Sequence, residues 1–287
     1  MKRPRFAGVL GWPVAHSRSP LIHARWLADH AIAGAYVKLP VAPEHLGLAL
    51  KHLGRTGFAG CNVTIPHKEA AFHLMDHLDD AARRARAVNT VIVRNDGSLA
   101  GSNTDIFGFA ENLRAHTGAS RLDDARVVIL GAGGAARAVL IACLDAGARD
   151  IVIANRSLER AQNLAHDMAI RNVAITAHEG PTENALAGAD LLVNTTSLGQ
   201  RGQPALMLSA AALATLAKGA IVADIVYVPL ETSLIRNARA LGFKVAPGLG
   251  MLLHQARPGF AAWFGVMPEV TSALHDAIAQ TIQAGDD

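Results

Sequence analysis

Two cysteines in 287 residues are too few for a disulfide framework. Cys61 and Cys143 both sit among apolar neighbours and read as small core hydrophobes, which points to a reducing compartment. No stretch reaches roughly eighteen apolar residues without a polar interruption, so no membrane-spanning helix is expected. The opening "MKRPRFAGVLGWPVAHSRSP" starts basic, but its apolar run is short and broken by Pro13 and His16, which makes a poor signal peptide. The expectation is a cytoplasmic protein without a membrane partner. An excess of one charge is lacking too. The 27 basic and 24 acidic residues leave a formal charge of +3, and the arginines (Arg25, Arg83, Arg126, Arg160, Arg239) are scattered. A nucleic-acid reader needs a basic face and a recognisable motif, and neither is visible. No grouping of His, Cys and carboxylates has metal-site spacing.

What remains is a globular composition, 51% hydrophobic and 18% charged, laid out as alternating strand and helix patterns. "FAGVLG", "AYVKLPV", "AGCNVTI" and "AVNTVIV" (Ala87 to Val93) read as strands. Between them "SPLIHARWLADHAI" reads as a helix capped by Ser19 with Pro20 at its first position. "PEHLGLALKHLGRTG" and "EAAFHLMDHL" also read as helices, and "RNDGSLAG" as a turn leading to a helix in "SNTDIFGFAENLRAH". From "RVVIL" (Arg126 to Leu130) onward the strands become continuous apolar runs, as in a parallel sheet buried on both faces. "DIVIANRS", "VAITA", "DLLVNTTSLG", "GAIVADIVY" and an edge strand in "FKVAPG" continue that pattern, with helices in between. This predicts an α/β protein with a doubly wound, Rossmann-like unit over roughly Leu122 to Ala246. The tail from Leu249 to Ala284 carries only helical spacing.

Gly131, Gly133 and Ala136 form a G-x-G-x-x-A fingerprint between a buried strand and a long helix, with Gly134 as an extra small residue. The first glycine permits the turn, the second lets backbone approach a pyrophosphate, and the helix start offers free N–H groups to the anion. An NAD site usually carries Asp or Glu at the end of the next strand, to accept from the ribose. Here that place holds Asn155, Arg156 and Ser157. A carboxylate would repel a 2′-phosphate and a guanidinium can clasp it, so NADP is the expected cofactor, with Arg156 and Ser157 on the phosphate.

Four stretches before this unit are more polar than plain turns require. "HSRSP" places Ser17 and Ser19 two apart. "NVTIPHK" supplies Asn62, Thr64 and Lys68, "AVNT" supplies Asn89, and "GSNTD" supplies Asn103, Thr104 and Asp105. Asn62 and Asn103 read as loop fixtures, and His16 and His67 as structural hydrogen-bonders. The whole set suits a small polyhydroxylated ligand. Reducing a ketone by hydride leaves an oxygen that must gain a proton, so Lys68 reads as the donor and Asp105 as its orienting partner.

"GWPVAHSRSPLIH", "NVTIPHKE", "AVNT", "NTDIFGF", "GAGGAARA", "NRS", "NTTSLG", "DIVYVPLET" and "GLGMLLHQA" stand in the order found in the shikimate dehydrogenases, and the chain resembles that family from Gly8 to nearly Thr271. The resemblance implies reversible NADPH-dependent reduction of 3-dehydroshikimate to shikimate, a step toward aromatic amino acids. It places the carboxylate-binding serines on Ser17 and Ser19, a substrate-contacting threonine on Thr64, and the catalytic pair on Lys68 and Asp105. Asn89, Tyr227 and Gln255 complete the substrate set. Gly131, Gly133, Gly134, Ala135, Asn155, Arg156, Ser157, Thr195, Ile225, Gly248 and Met251 fall on the cofactor side. It further implies a substrate domain of residues 1–104 and 247–287, an NADP-binding domain of 105–246, and an active site in the cleft between them, in a monomer or homodimer. Ala24, Ile106 and Pro247 depart from the family pattern without touching a proposed catalytic role. Two rivals are a relative that also takes quinate or prefers NAD, and a non-catalytic NADP sensor. Retention of Lys68 and Asp105 disfavours the second.

Overall fold

The computed structural model describes residues 5–285. The chain divides into two compact units, Met1–Asp105 with Gln255–Asp287, and Ile106–His254. Both borders fall within helices, Asp105–Thr117 and Gly248–Phe264, where backbone bonding continues without a loop. They therefore differ from the expected 104/105 and 246/247. Residues 1–4 and 286–287 of the expected substrate domain lie outside the described residues.

The first unit carries a six-stranded mixed sheet of β1 (Arg5–Gly11), β2 (Gly34–Pro40), β3 (Phe58–Val63), β4 (His77–Leu78), β5 (Thr90–Val93) and β6 (Leu99–Ser102). Its order is β2-β1-β3-β5-β6-β4. β1 runs parallel to β2 and β3, while β5 is antiparallel to both β3 and β6. Leu10, Leu50, Val63, Val88 and Val91 belong to one buried cluster. Trp26, Phe260 and Trp263 are buried as well, and the Trp263 indole donates to the Val91 carbonyl at 3.0 Å. Gly60 makes this approach possible, since a Cβ there would lie 2.0 Å from that carbonyl and 2.2 Å from the indole nitrogen.

Several local expectations change here. The helix from Lys68 stops at Phe72, and His77–Leu78 becomes a short strand instead of more helix. A further helix, Asp80–Ala85, is capped by Asp79, whose carboxylate accepts from Ala82 N at 2.7 Å. β5 begins at Thr90 rather than Ala87: Val88 N donates to Lys68 O at the start of a helix, and Asn89 N to Ser102 O at the end of β6. The turn expected at "RNDGSLAG" is confined to its first half, since Leu99–Ser102 pairs antiparallel with β5. Arg18, not Ser19, holds the cap position of the Ser19–Asp29 helix, and Ser17 Oγ accepts from Ser19 N at 3.3 Å.

The second unit is built on β7 (Arg126–Leu130), β8 (Asp150–Asn155), β9 (Ala174–Glu179), β10 (Leu191–Asn194), β11 (Ile221–Asp224) and β12 (Lys244–Ala246). All pairings are parallel and the order is β12-β11-β10-β7-β8-β9. The order reverses beside β7, so β7 and β10 flank the switch point at whose carboxyl ends such sheets take ligands. Val127 to Ile129 and Ile151 to Ile153 are fully buried, which explains their unbroken apolar runs. A short helix absent from the sequence reading, Ala210–Ala214, is capped by Ser209.

Candidate active site

The run that ends β3 passes through Thr64 and Pro66 into Lys68, the first residue of a five-residue helix. His67 is buried, and its Nε2 lies 2.8 Å from Val41 O, which fixes the turn. The Lys68 ammonium is thereby aimed at Asp105, with Nζ donating to Oδ2 at 2.6 Å. Asp105 is the first residue of the Asp105–Thr117 helix, where the helix dipole favours a negative charge. Its backbone N–H donates to Asn103 Oδ1 at 3.1 Å. Its other oxygen accepts from Asn89 Nδ2 at 2.8 Å. The two side chains of the ion pair are only 29% and 12% exposed, so the pair is screened less than a surface one.

Asn89 is held in turn. Its Oδ1 accepts from Thr104 N at 2.8 Å, and its own carbonyl accepts from Val63 N at 2.8 Å. Lys68, Asn89 and Asp105 therefore meet directly, and Ser17 and Ser19 meet one another. Ser19 is buried, while Ser17, Thr64 and Gln255 are half-buried in the same unit. Tyr227 is half-buried in the second unit. Asn62 is not the loop fixture the sequence suggested but a buried residue of β3, directly opposite Thr90 in register. Its partners Tyr36 and Thr90 escaped the sequence reading. No linear signal marks them, because the cross-strand pairing of Asn62 with Thr90 is set by register.

In the second unit β7 leads into Gly131, whose φ of +110° suits glycine. A Cβ there would lie 2.6 Å from Thr195 Oγ1, which itself donates to Leu130 O at 2.6 Å. Gly133 precedes the Gly134–Asp145 helix without a capping side chain, and the backbone bond from Arg137 N to Gly133 O opens the helix at 3.0 Å. The N–H groups of Gly134 and Ala135 thus belong to the exposed helix start. A Cβ on Gly133 or Gly134 would meet nothing within 4 Å. Bare backbone with space in front of it fits a pyrophosphate cradle.

At the end of β8, Asn155 Nδ2 donates to Ser157 O at 2.9 Å and Arg156 is exposed. Ser157 caps the Leu158–Asp167 helix, accepting from Arg160 N at 3.4 Å, which leaves its hydroxyl proton for another acceptor. Gly248 sits where a Cβ would fall 2.5 Å from the carbonyls of both Ile225 and Val226, and Met251 is buried in the following turn. Asp224, at the end of β11, was also missed. It accepts from Asn194 Nδ2 at 2.9 Å, Val226 N at 3.0 Å and Thr232 Oγ1 at 2.6 Å. Burial pushes its carboxyl up to about 6, against the pull of those hydrogen bonds. Among the described residues no group of three or more His, Cys, Asp or Glu could hold a metal ion. No described helix is long and apolar enough to cross a membrane.

Residues 9–91 match the family model described as the shikimate dehydrogenase substrate binding domain, and residues 113–227 that described as shikimate / quinate 5-dehydrogenase. The chain is 54% identical over 280 residues to the shikimate dehydrogenase (NADP(+)) of Rhodospirillum rubrum, covering 96% of this chain and 97% of that protein. It is 53% identical over 272 residues to the enzyme of the same name from Paramagnetospirillum magneticum, covering 95% and 97%. Among solved structures, the shikimate 5-dehydrogenase of Thermus thermophilus in complex with NADP(H) and shikimate superposes with a TM-score of 0.84 at 36% identity, covering 97% of this chain and 99% of that one. The quinate dehydrogenase of Corynebacterium glutamicum in complex with NAD gives 0.84 at 29% identity, covering 98% and 99%.

Proposed function

We infer that this chain, which belongs to the shikimate dehydrogenase family, is an NADP-dependent shikimate dehydrogenase that interconverts 3-dehydroshikimate and shikimate. The observation that carries the chemistry is the 2.6 Å contact between Lys68 Nζ and Asp105 Oδ2. When bound, NADPH supplies the hydride that reduces the ketone carbon. The Lys68 ammonium faces the ketone oxygen, stabilises the charge that develops there and gives up a proton to it. Asp105 holds the ammonium in place, and Asn89 holds Asp105. Ser17 and Ser19 take the substrate carboxylate, with Thr64, Asn89, Tyr227 and Gln255 on the ring and its hydroxyls. In the reverse direction the same lysine takes the alcohol proton.

For the cofactor, the backbone at Gly131, Gly133, Gly134 and Ala135 takes the pyrophosphate. Arg156, with Asn155 and Ser157, takes the 2′-phosphate, and Thr195, Ile225, Gly248 and Met251 line the nicotinamide end. In this reading most of the substrate set falls in residues 1–104 and 247–287 and most of the cofactor set in 105–246. Two unpaired buried cysteines support a cytoplasmic setting. The enzyme works on small molecules as a monomer or homodimer. A second reading, activity on quinate with NAD, takes support from the likeness to the C. glutamicum enzyme. The lack of a carboxylate at Asn155–Arg156–Ser157 opposes it. Absorbance of the reduced nicotinamide separates the two. Shikimate with NADP+ should give a rapid rise and quinate with NAD+ little. The reverse ranking would overturn the assignment.

A further inference from the structure

The hydrogen bond from Asn89 to Asp105 is the last link of a longer chain. Asn62 Nδ2 lies 3.1 Å from the carbonyl of Asn89, which only accepts, so the amide nitrogen must face it and Oδ1 must face Tyr36. The Tyr36 hydroxyl lies 2.6 Å from that Oδ1 and is therefore the donor. The same Asn62 amide donates to Thr90 Oγ1 at 3.1 Å, and the Thr90 hydroxyl reaches Asn89 Oδ1 either directly at 3.0 Å or through Thr104 Oγ1, 3.2 Å from both. Asn89 Nδ2 then donates to Asp105 at 2.8 Å. The links run from the Tyr36 hydroxyl through Asn62 to Asn89 and on to the carboxylate that holds Lys68.

We propose that Tyr36 is a positioning residue, whose hydroxyl acts through Asn62 to hold Asn89 and so the Asp105–Lys68 pair. Tyr36, Asn62, Asn89 and Thr90 are each at most 6% exposed, so water cannot replace a missing link. In such an environment each donor polarises the next. The ring itself is fixed by the His23 imidazole, stacked at 3.8 Å and 4°. This role rests on the assignment of Lys68 and Asp105 to proton handling.

Tyr36→Phe keeps the ring and its stacking and removes only the link. With shikimate and NADP+, it is expected to lower kcat about five- to thirtyfold and to displace the midpoint of the kcat–pH profile. NADP+ affinity, measured by fluorescence titration, is expected to stay unchanged. Combined with Asn62→Ser, it should be no worse than the poorer single variant, because the chain is already cut. Thr90→Val combined with Asn62→Ser gives an independent cycle within the same chain, usable should Tyr36→Phe fold poorly. Additive losses in these cycles, or a lowered Tm with an unmoved pH profile, would overturn the coupling. Undiminished turnover in Lys68→Ala would instead overturn the underlying assignment of the pair.

Discussion

In the first unit Lys68, Asp105 and Asn89 are joined side chain to side chain at 2.6 and 2.8 Å. In the second, Gly131, Gly133 and Gly134 present little more than backbone. Under the proposed function, the contrast follows from what each would hold. Proton transfer needs titratable atoms at fixed positions, which only side chains supply. A pyrophosphate needs several N–H groups and room, which side chains would obstruct. The first unit should therefore be sensitive to truncation, and the second to added atoms.

The sharpest test is Lys68→Ala. It should lower turnover ~10²–10⁴-fold while NADP+ binding, proposed for the other unit, stays within about twofold. Loss of both together would break the contrast.

The two units also differ in how acid acts on them. Burial among Trp26, Tyr36, Phe260 and Trp263 pushes the His23 imidazole down to about 3 from 6.5, and neither ring nitrogen has a hydrogen-bond partner. The unfolded chain takes up that proton first. The stabilisation from a neutral His23 is thus complete above 6.5 and is lost as pH falls toward about 3. Asp224 is the opposite case. Its carboxyl is raised from 3.8 to about 6, so the folded state binds the proton more tightly and its contribution is lost as pH rises through that window. Each slope approaches about 1.4 kcal/mol per pH unit, with opposite signs. Urea unfolding at several pH values across the overlap should show acid destabilisation steepened by Asp224→Asn and relieved by His23→Phe. The same slope in all three proteins would remove the distinction.

Arg156 is the exception in the second unit, a side chain assigned to a ligand. Arg156→Ala should weaken NADP+ binding about tenfold and leave NAD+ binding nearly unchanged. Equal weakening of both would place the guanidinium elsewhere.

The units were also unequally legible in the sequence. "RVVIL" and "DIVIAN" announce β7 and β8 because strands buried on both faces must be apolar throughout. In the first unit, His77–Leu78 and Leu99–Ser102 are too short and too rich in small or polar residues to show a period. They exist because partners across the sheet accept them. Lys68, Asp105 and Asn89 could be picked out because their residue types carry chemistry. Tyr36 and Thr90 could not, and Asn62 could be seen only as a loop fixture, since what matters is that Asn62 faces Thr90 across an antiparallel pair, and register is absent from a linear pattern. Asp224 was hidden for a similar reason. Its importance comes from Asn194 and Thr232, thirty and eight residues away.

The smallest expected effect separates fold from ligand within the glycine loop itself. Gly131→Ala forces a side chain onto a φ of +110° with a contact of 2.6 Å to Thr195 Oγ1. It should cost about 1–3 kcal/mol of stability. Gly134→Ala has open space around the new methyl and lies in a helix, where alanine is favoured. It should therefore raise stability by about 0.5–1 kcal/mol. If that space is where the pyrophosphate lies, the same methyl must weaken NADP+ binding even as the apoprotein becomes more stable. Thermal unfolding paired with NADP+ titration reads both quantities on one variant. A Gly134→Ala protein that is more stable and binds NADP+ as well as the parent would show that the pyrophosphate does not use this stretch of backbone. Opposite movements of the two readings would leave the second unit's backbone, rather than its side chains, as what receives the anion.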